Sequence, residues 1–71
     1  MREIIVETLK RNIKSLRVRA GYTQEEVAEK LELSRETVFR WEKDPQKMPA
    51  IKLQRLATLY NCTVNDFFAG M

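Results

Sequence analysis

The chain has 71 residues, and its 13 lysines and arginines outnumber 10 acidic residues to give a formal net charge of +3. Hydrophobic residues make up 44% of the chain and charged residues 32%, proportions that exclude a fibrous or disordered protein. The absence of histidine and the single cysteine exclude an internal disulfide and argue against a zinc site within one chain. We therefore expect one domain over residues 1–71, close to the smallest size that sustains a core.

The first ten residues bear on where the protein works. This segment contains no apolar stretch suited to a signal peptide or a spanning helix, because charged residues interrupt it. These residues are Arg2, Glu3, Glu7 and Lys10. We expect a cytoplasmic protein that does not contact a membrane. The basic charge favours a polyanion such as nucleic acid as the partner, although many basic domains simply carry solvated surface charge.

Residues 4–20 are predicted to form the first helix, because no proline or glycine interrupts them and apolar residues recur at every third or fourth position. Gly21 ends this helix, since glycine readily adopts the left-handed conformation found at helix C-termini. Thr23 and Glu26 then have the spacing of a capping box, in which side chain and backbone bond reciprocally. A second helix is therefore predicted over residues 24–31.

Three more helices follow in the sequence. Ser34 is placed to cap a third helix over residues 35–43, and Pro45 ends it and begins a basic loop. A fourth helix is predicted over residues 50–60 and a short fifth over residues 64–69. The predicted fold is an all-α compact bundle of about five short helices.

Apolar residues on the inner faces of these helices are expected to form the core. In the fourth helix, Ile51, Leu53 and Tyr60 are among the candidates for burial. No nucleophile and base pair, glycine-rich phosphate loop or carboxylate dyad occurs, so we expect no enzymatic activity, no metal and no cofactor. The core residues predicted from the whole chain are Val27, Leu31, Val38, Trp41, Leu56 and Cys62.

The second and third helices are joined by a short turn, which is the pattern of a helix-turn-helix. The run from Tyr22 to Glu42, YTQEEVAEKLELSRETVFRWE, resembles the phage-repressor and Cro class, also called the XRE family. The likeness covers about residues 12–68, and it includes Ala28, which lets the two helices approach closely. Glu32 departs from the family pattern, which commonly has glycine here, and a left-handed glutamate would cost roughly 1 kcal/mol.

The resemblance implies a fold like the lambda-repressor DNA-binding domain, with the third helix in the major groove of double-stranded DNA. Arg35, Glu36, Phe39 and Arg40 share the outward arc of this helix and are predicted to read bases. For Glu36 the alternative is an ion pair with Arg40 along the helix. For Phe39 the alternative is incidental exposure or contact with another protein chain.

The resemblance also implies contacts with the DNA backbone. Gln24 matches a family glutamine that contacts a phosphate and braces the recognition helix. Arg17 and Glu42 match a family ion pair that orients this helix, and Arg17 is also a candidate phosphate contact. Each of the remaining candidates could equally be an ordinary surface lysine: Lys43, Lys47 and Lys52.

We expect a homodimer on DNA, because one short recognition helix reads only a few base pairs. Tyr60, Phe68 and Met71 are candidates for a two-fold interface. The alternative is that Phe67 and Phe68 close the core of one chain. The predicted function is sequence-specific transcriptional regulation, in its simplest form steric repression at a pseudo-palindromic operator, with no small-molecule ligand. The alternative is a protein-interaction module of the same fold, such as an antitoxin or an adaptor.

Overall fold

The computed structural model describes residues 2–70, together with the side chains of residues 4–70. Two short 3₁₀ helices, η1 (Pro45–Lys47) and η2 (Val64–Phe68), flank the last of the α-helices. Residues 2–70 contain no strand, and the all-α prediction is confirmed. Within the same range, no helix combines the length and apolarity that a membrane crossing needs. The α-helices are α1 (Arg2–Ala20), α2 (Gln24–Leu31), α3 (Arg35–Lys43) and α4 (Ala50–Leu59).

Two predicted elements differ in the structure. The fifth helix, predicted over residues 64–69, is the tighter 3₁₀ helix η2 and ends at Phe68, after which Ala69 is extended. The predicted basic loop contains η1, which begins at Pro45. Proline suits a first helical position because its fixed φ is helical and it has no N–H to leave unbonded. Both segments are too short to display a 3.6-residue period, so the sequence pattern could not separate them from a helix or a loop.

Side-chain caps fix where α2 and α3 begin. The Glu26 backbone N–H donates to Thr23 Oγ1 at 3.1 Å, and the Thr23 N–H donates to Glu26 Oε1 at 2.9 Å. The predicted capping box is thus confirmed, and the bond from the Thr23 backbone lowers the pKa of the exposed Glu26 carboxyl. In α3, the Thr37 N–H donates to Ser34 Oγ at 3.2 Å.

The turn between α2 and α3 depends on one left-handed residue. Glu32 has φ 57° and ψ 47°, the conformation in which the family more commonly has glycine. This conformation lets the Leu33 N–H donate to the Ala28 carbonyl oxygen at 2.8 Å, which closes the C-terminus of α2. Ala28 is buried beside the turn, where its small side chain allows α2 and α3 to pack closely.

The predicted core is largely confirmed. Val27 and Val38 are buried, as are Leu31, Trp41 and Leu56. Cys62 is only half-buried at the edge of the core, and its partial burial raises the pKa of the thiol.

One residue of α4 that was predicted to be buried lies on the solvent-exposed face of that helix. Ile51 is 67% exposed, so its predicted burial is wrong. At 100° per residue it lies about 140° around α4 from the buried Leu56, which places it towards solvent. Leu53 is partly buried and packs against the core.

The prediction that Tyr60 lies at the dimer interface is wrong, because this residue is buried. It is 5% exposed, and its ring lies 6.4 Å from each of the rings of Tyr22 and Phe67, measured between centroids. Packing these apolar rings inside one chain removes Tyr60 from the surface. Phe68 packs in part against the same core, and Met71 lies outside the described residues.

Replacing Glu32 with glycine should raise the free energy of unfolding by about 0.5 to 1 kcal/mol. Glycine removes the left-handed strain, and its greater freedom in the unfolded chain offsets part of that gain. Asn61→Gly is the matched control, because Asn61 also has φ 57° but asparagine tolerates this conformation. Urea denaturation monitored by circular dichroism measures both changes, and a destabilised Glu32→Gly variant would contradict the strain at this turn.

Candidate nucleic-acid interface

The outward side of α3 displays the four residues predicted to read bases. Arg35, Glu36, Phe39 and Arg40 are all exposed, and Phe39 retains 49% of its accessible surface. Arg35, Glu36 and Phe39 line a surface hollow of about 260 Å³. Their predicted outward orientation is confirmed. No ion pair joins Glu36 to Arg40 in the part of the chain that the structure describes, so both side chains present their charge to solvent.

A cation lies over the aromatic ring on this face. Lys43 Nζ is 5.2 Å from the centroid of the Phe39 ring, within the range of a cation–π interaction. The two residues are four positions apart on α3, the spacing at which helical side chains meet. The spacing of four positions could have predicted this contact, but the sequence analysis did not identify it.

A nearly buried ion pair joins α1 to the end of α3. Arg17 Nε donates to Glu42 Oε2 at 2.6 Å, and Nη2 donates to Oε1 at 3.4 Å. Their side chains are 10% and 9% exposed, so little solvent screens the pair. Arg17 Nη1 also donates to the Tyr22 carbonyl oxygen at 2.8 Å, which ties the turn after α1 to the same group. The ion pair predicted between Arg17 and Glu42 is present, and its role in orienting α3 stays a prediction.

Gln24 completes this cluster from the N-terminus of α2. Its Nε2 donates to Glu42 Oε1 at 3.2 Å, a contact that suits the bracing role predicted for Gln24, and that role stays a prediction. One carboxylate on α3 therefore accepts hydrogen bonds from both α1 and α2. We call the cluster of Arg17, Gln24 and Glu42 the brace.

The Tyr60 hydroxyl lies buried near the brace. No hydrogen-bond partner for this oxygen occurs among the described residues. Burial, and secondarily the charge of Glu42, raises the pKa of Tyr60 far above its usual range. The phenol therefore stays neutral and contributes no charge to the brace.

A family model described as Helix-turn-helix matches residues 13–67. The chain belongs to the XRE helix-turn-helix family. It is similar to the HTH-type transcriptional regulator ImmR of Bacillus subtilis (strain 168), with 35% identity over 63 residues. The aligned region is 89% of this chain and 49% of that protein, so the chain spans about half the length of the curated relative. No solved structure gives a significant match.

The candidate phosphate contacts of this XRE-family chain fall into two groups. Arg17, Gln24 and Lys43 lie together in a cleft between α1 and α3. Lys47 is exposed with its Nζ 3.5 Å from Asp44 Oδ2, and Lys52 is half-buried in the first turn of α4, outside that cleft. The phosphate roles of all five stay predictions. For Arg17, three of the five guanidinium N–H groups already donate to protein acceptors.

The cleft also contains a residue that the sequence analysis did not single out. Lys14 on α1 lines it beside Arg17, Gln24 and Lys43. Lys14 precedes Arg17 by three positions and so shares its face of α1, which is the signal that could have found it.

Replacing Arg17 with methionine should lower the free energy of unfolding by about 3 to 5 kcal/mol, because it leaves the Glu42 carboxylate buried without its cationic partner. Lys47→Met is the matched control: it breaks an exposed pair with Asp44 and should cost less than about 1 kcal/mol. Urea denaturation of the two variants gives the comparison. Equal losses would contradict the importance of burial at Arg17.

Proposed function

We propose that this chain is a DNA-binding transcription regulator that inserts α3 into the major groove. The observation that carries the proposal is the exposed side of α3, where two arginines, one carboxylate and one half-exposed aromatic ring stand together. A helix that presents such groups needs a fixed orientation to read DNA. The Ser34 cap holds its first turn, and the brace at Glu42 holds its last turn.

The four exposed side chains suit different base edges. Arg35 and Arg40 can each donate two hydrogen bonds to the O6 and N7 atoms of guanine, and Glu36 can accept from the N4 amino group of cytosine. Phe39 can pack against a thymine methyl group, which would bury apolar surface that the free chain leaves in water. A good bidentate contact contributes about 1 to 3 kcal/mol of discrimination between bases.

The DNA backbone is proposed to run across the N-terminus of α2 and the end of α3. Gln24 lies in the first turn of α2, where the helix dipole and unbonded N–H groups favour an anion. Lys43 lies in the last turn of α3. The net charge of +3 is consistent with an anionic partner. Further phosphate contacts are proposed for Arg17, Lys47 and Lys52.

A homodimer is proposed as the form that binds the operator. Two copies of one short recognition helix would read two half-sites, spaced about 34 Å apart on one face of the duplex. Of the residues first considered for the two-fold interface, Phe68 remains a candidate at a half-buried position. Steric repression follows as the simplest mode, because a dimer that covers a promoter excludes polymerase by occupancy alone.

Selection from a random duplex pool tests the proposed function directly. We expect a pseudo-palindrome, and anisotropy titrations on it should show a log–log salt slope that corresponds to about 3 to 5 phosphate contacts per half-site. Sedimentation of the complex should give two chains per duplex. An affinity that stays flat between low and moderate salt would overturn operator binding. A one-to-one complex on an asymmetric half-site would overturn the dimer alone.

Replacing Arg40 with alanine should weaken binding to the selected duplex by about 1 to 3 kcal/mol and remove the preference at one base pair. Lys47→Ala serves for comparison, because loss of a phosphate contact should weaken all sequences alike. Binding to the selected duplex and to single-base variants separates the two effects, with circular dichroism to verify folding. A folded Arg40→Ala protein with unchanged base preference would exclude Arg40 from the reading surface.

A further inference from the structure

The cleft between α1 and α3 is lined by residues of three helices, because Gln24 at the start of α2 also lines it. It has a volume of about 390 Å³ and opens next to the base-reading residues. We call it the α1–α3 cleft. Its lining residues are Lys14, Arg17, Gln24, Phe39, Glu42 and Lys43.

The charges of the α1–α3 cleft do not cancel. Arg17 and Glu42 neutralise one another at 2.6 Å. Lys14 and Lys43 then leave two positive charges, and neither lysine forms an ion pair with any residue whose side chain the structure describes. Cations that line a cleft with low-dielectric walls concentrate positive potential within it. The Gln24 side chain adds an amide that can donate to an anion.

The position of the α1–α3 cleft favours a phosphate of the DNA backbone as the anion that it binds. Phe39 lines both this cleft and the hollow that Arg35 and Glu36 form on the reading face. Arg17 and Gln24 also line a third hollow together with Arg35. A duplex read by α3 would therefore place its backbone beside the cleft, since the groove edges on which the bases lie are bounded by phosphates.

We propose that the α1–α3 cleft binds one backbone phosphate of duplex DNA and that Lys14 is a direct contact to it. This inference rests on the proposed function. Lys14 approaches the phosphate from α1 and Lys43 from the end of α3, so the contact spans two of the three helices that the brace joins. A phosphate held in this way fixes the angle at which α3 enters the groove, and it carries no base preference of its own.

Lys14→Gln tests the proposal on the intact chain. It removes one charge from an exposed helix position where lysine and glutamine have similar helix propensities, so folding should be unaffected. The control is Lys30→Gln, which removes the same charge from an exposed position of α2. Anisotropy titrations with one duplex across a range of salt concentrations measure affinity and salt slope together, and circular dichroism verifies folding.

For Lys14→Gln we expect the log–log salt slope to become shallower by about 0.9 for each bound chain and the affinity near 0.1 M salt to fall roughly fivefold to tenfold. Lys30→Gln should leave the slope unchanged. Lys14→Arg should retain the wild-type slope, because it keeps the charge.

Two other outcomes separate the inference from the proposed function. If the wild-type chain binds duplex DNA with a steep salt slope but Lys14→Gln matches Lys30→Gln, the phosphate contact at Lys14 is overturned and DNA binding stands. If the wild-type chain binds no duplex at low salt, both are overturned. Neutral methylphosphonate at single backbone positions provides a second readout: at one position it should weaken wild-type binding more than it weakens binding by Lys14→Gln.

Discussion

The arrangement of the helices depends on one carboxylate. Glu42 lies on α3, yet its oxygens accept hydrogen bonds from Arg17 on α1 and Gln24 on α2. A buried ion pair adds little net stability when it is complete, because desolvation of both charges opposes their attraction. It is costly to leave incomplete, and this asymmetry penalises any orientation of α3 in which Glu42 loses a partner. The brace therefore specifies the position of a helix more than it stabilises the fold.

The same constraint explains how α3 can be so short. A helix of nine residues would not be stable alone in water. Its nucleation is unfavourable, and so short a helix forms too few backbone hydrogen bonds to offset that cost. Here the Ser34 cap satisfies the start, and Val38 and Trp41 are buried on the inner side. The brace then fixes the last turn. The four residues proposed to read bases are exposed on the outer side of the helix.

The sequence predicted most where the signals are local. The capping box at Thr23, the Ser34 cap and the helical period of the core depend on neighbours a few positions apart, and the structure confirms each. The ion pair of Arg17 with Glu42 links residues 25 positions apart and came from family resemblance. The burial of Tyr60 was among the predictions, but its packing against Tyr22 and Phe67 joins distant parts of the chain, which no pattern within α4 determines. The exposure of Ile51 follows from its angle around α4 and could have been predicted. The place of Lys14 in the cleft depends on how the fold brings α1 and α3 together.

The side chains proposed to read bases form few contacts with the framework beneath them. Within the described residues, Arg35, Glu36 and Arg40 make no side-chain hydrogen bond or ion pair, and Phe39 contacts a cation of its own helix. Exchange of Arg35, Glu36 or Arg40 therefore removes no side-chain hydrogen bond or ion pair of α3. Under the proposed function, mutation at these positions would alter the recognised sequence at little cost in stability, whereas changes at the brace would disturb the framework itself. Duplicated copies of a gene for such a regulator could then acquire new operators one base pair at a time while the fold stays constant.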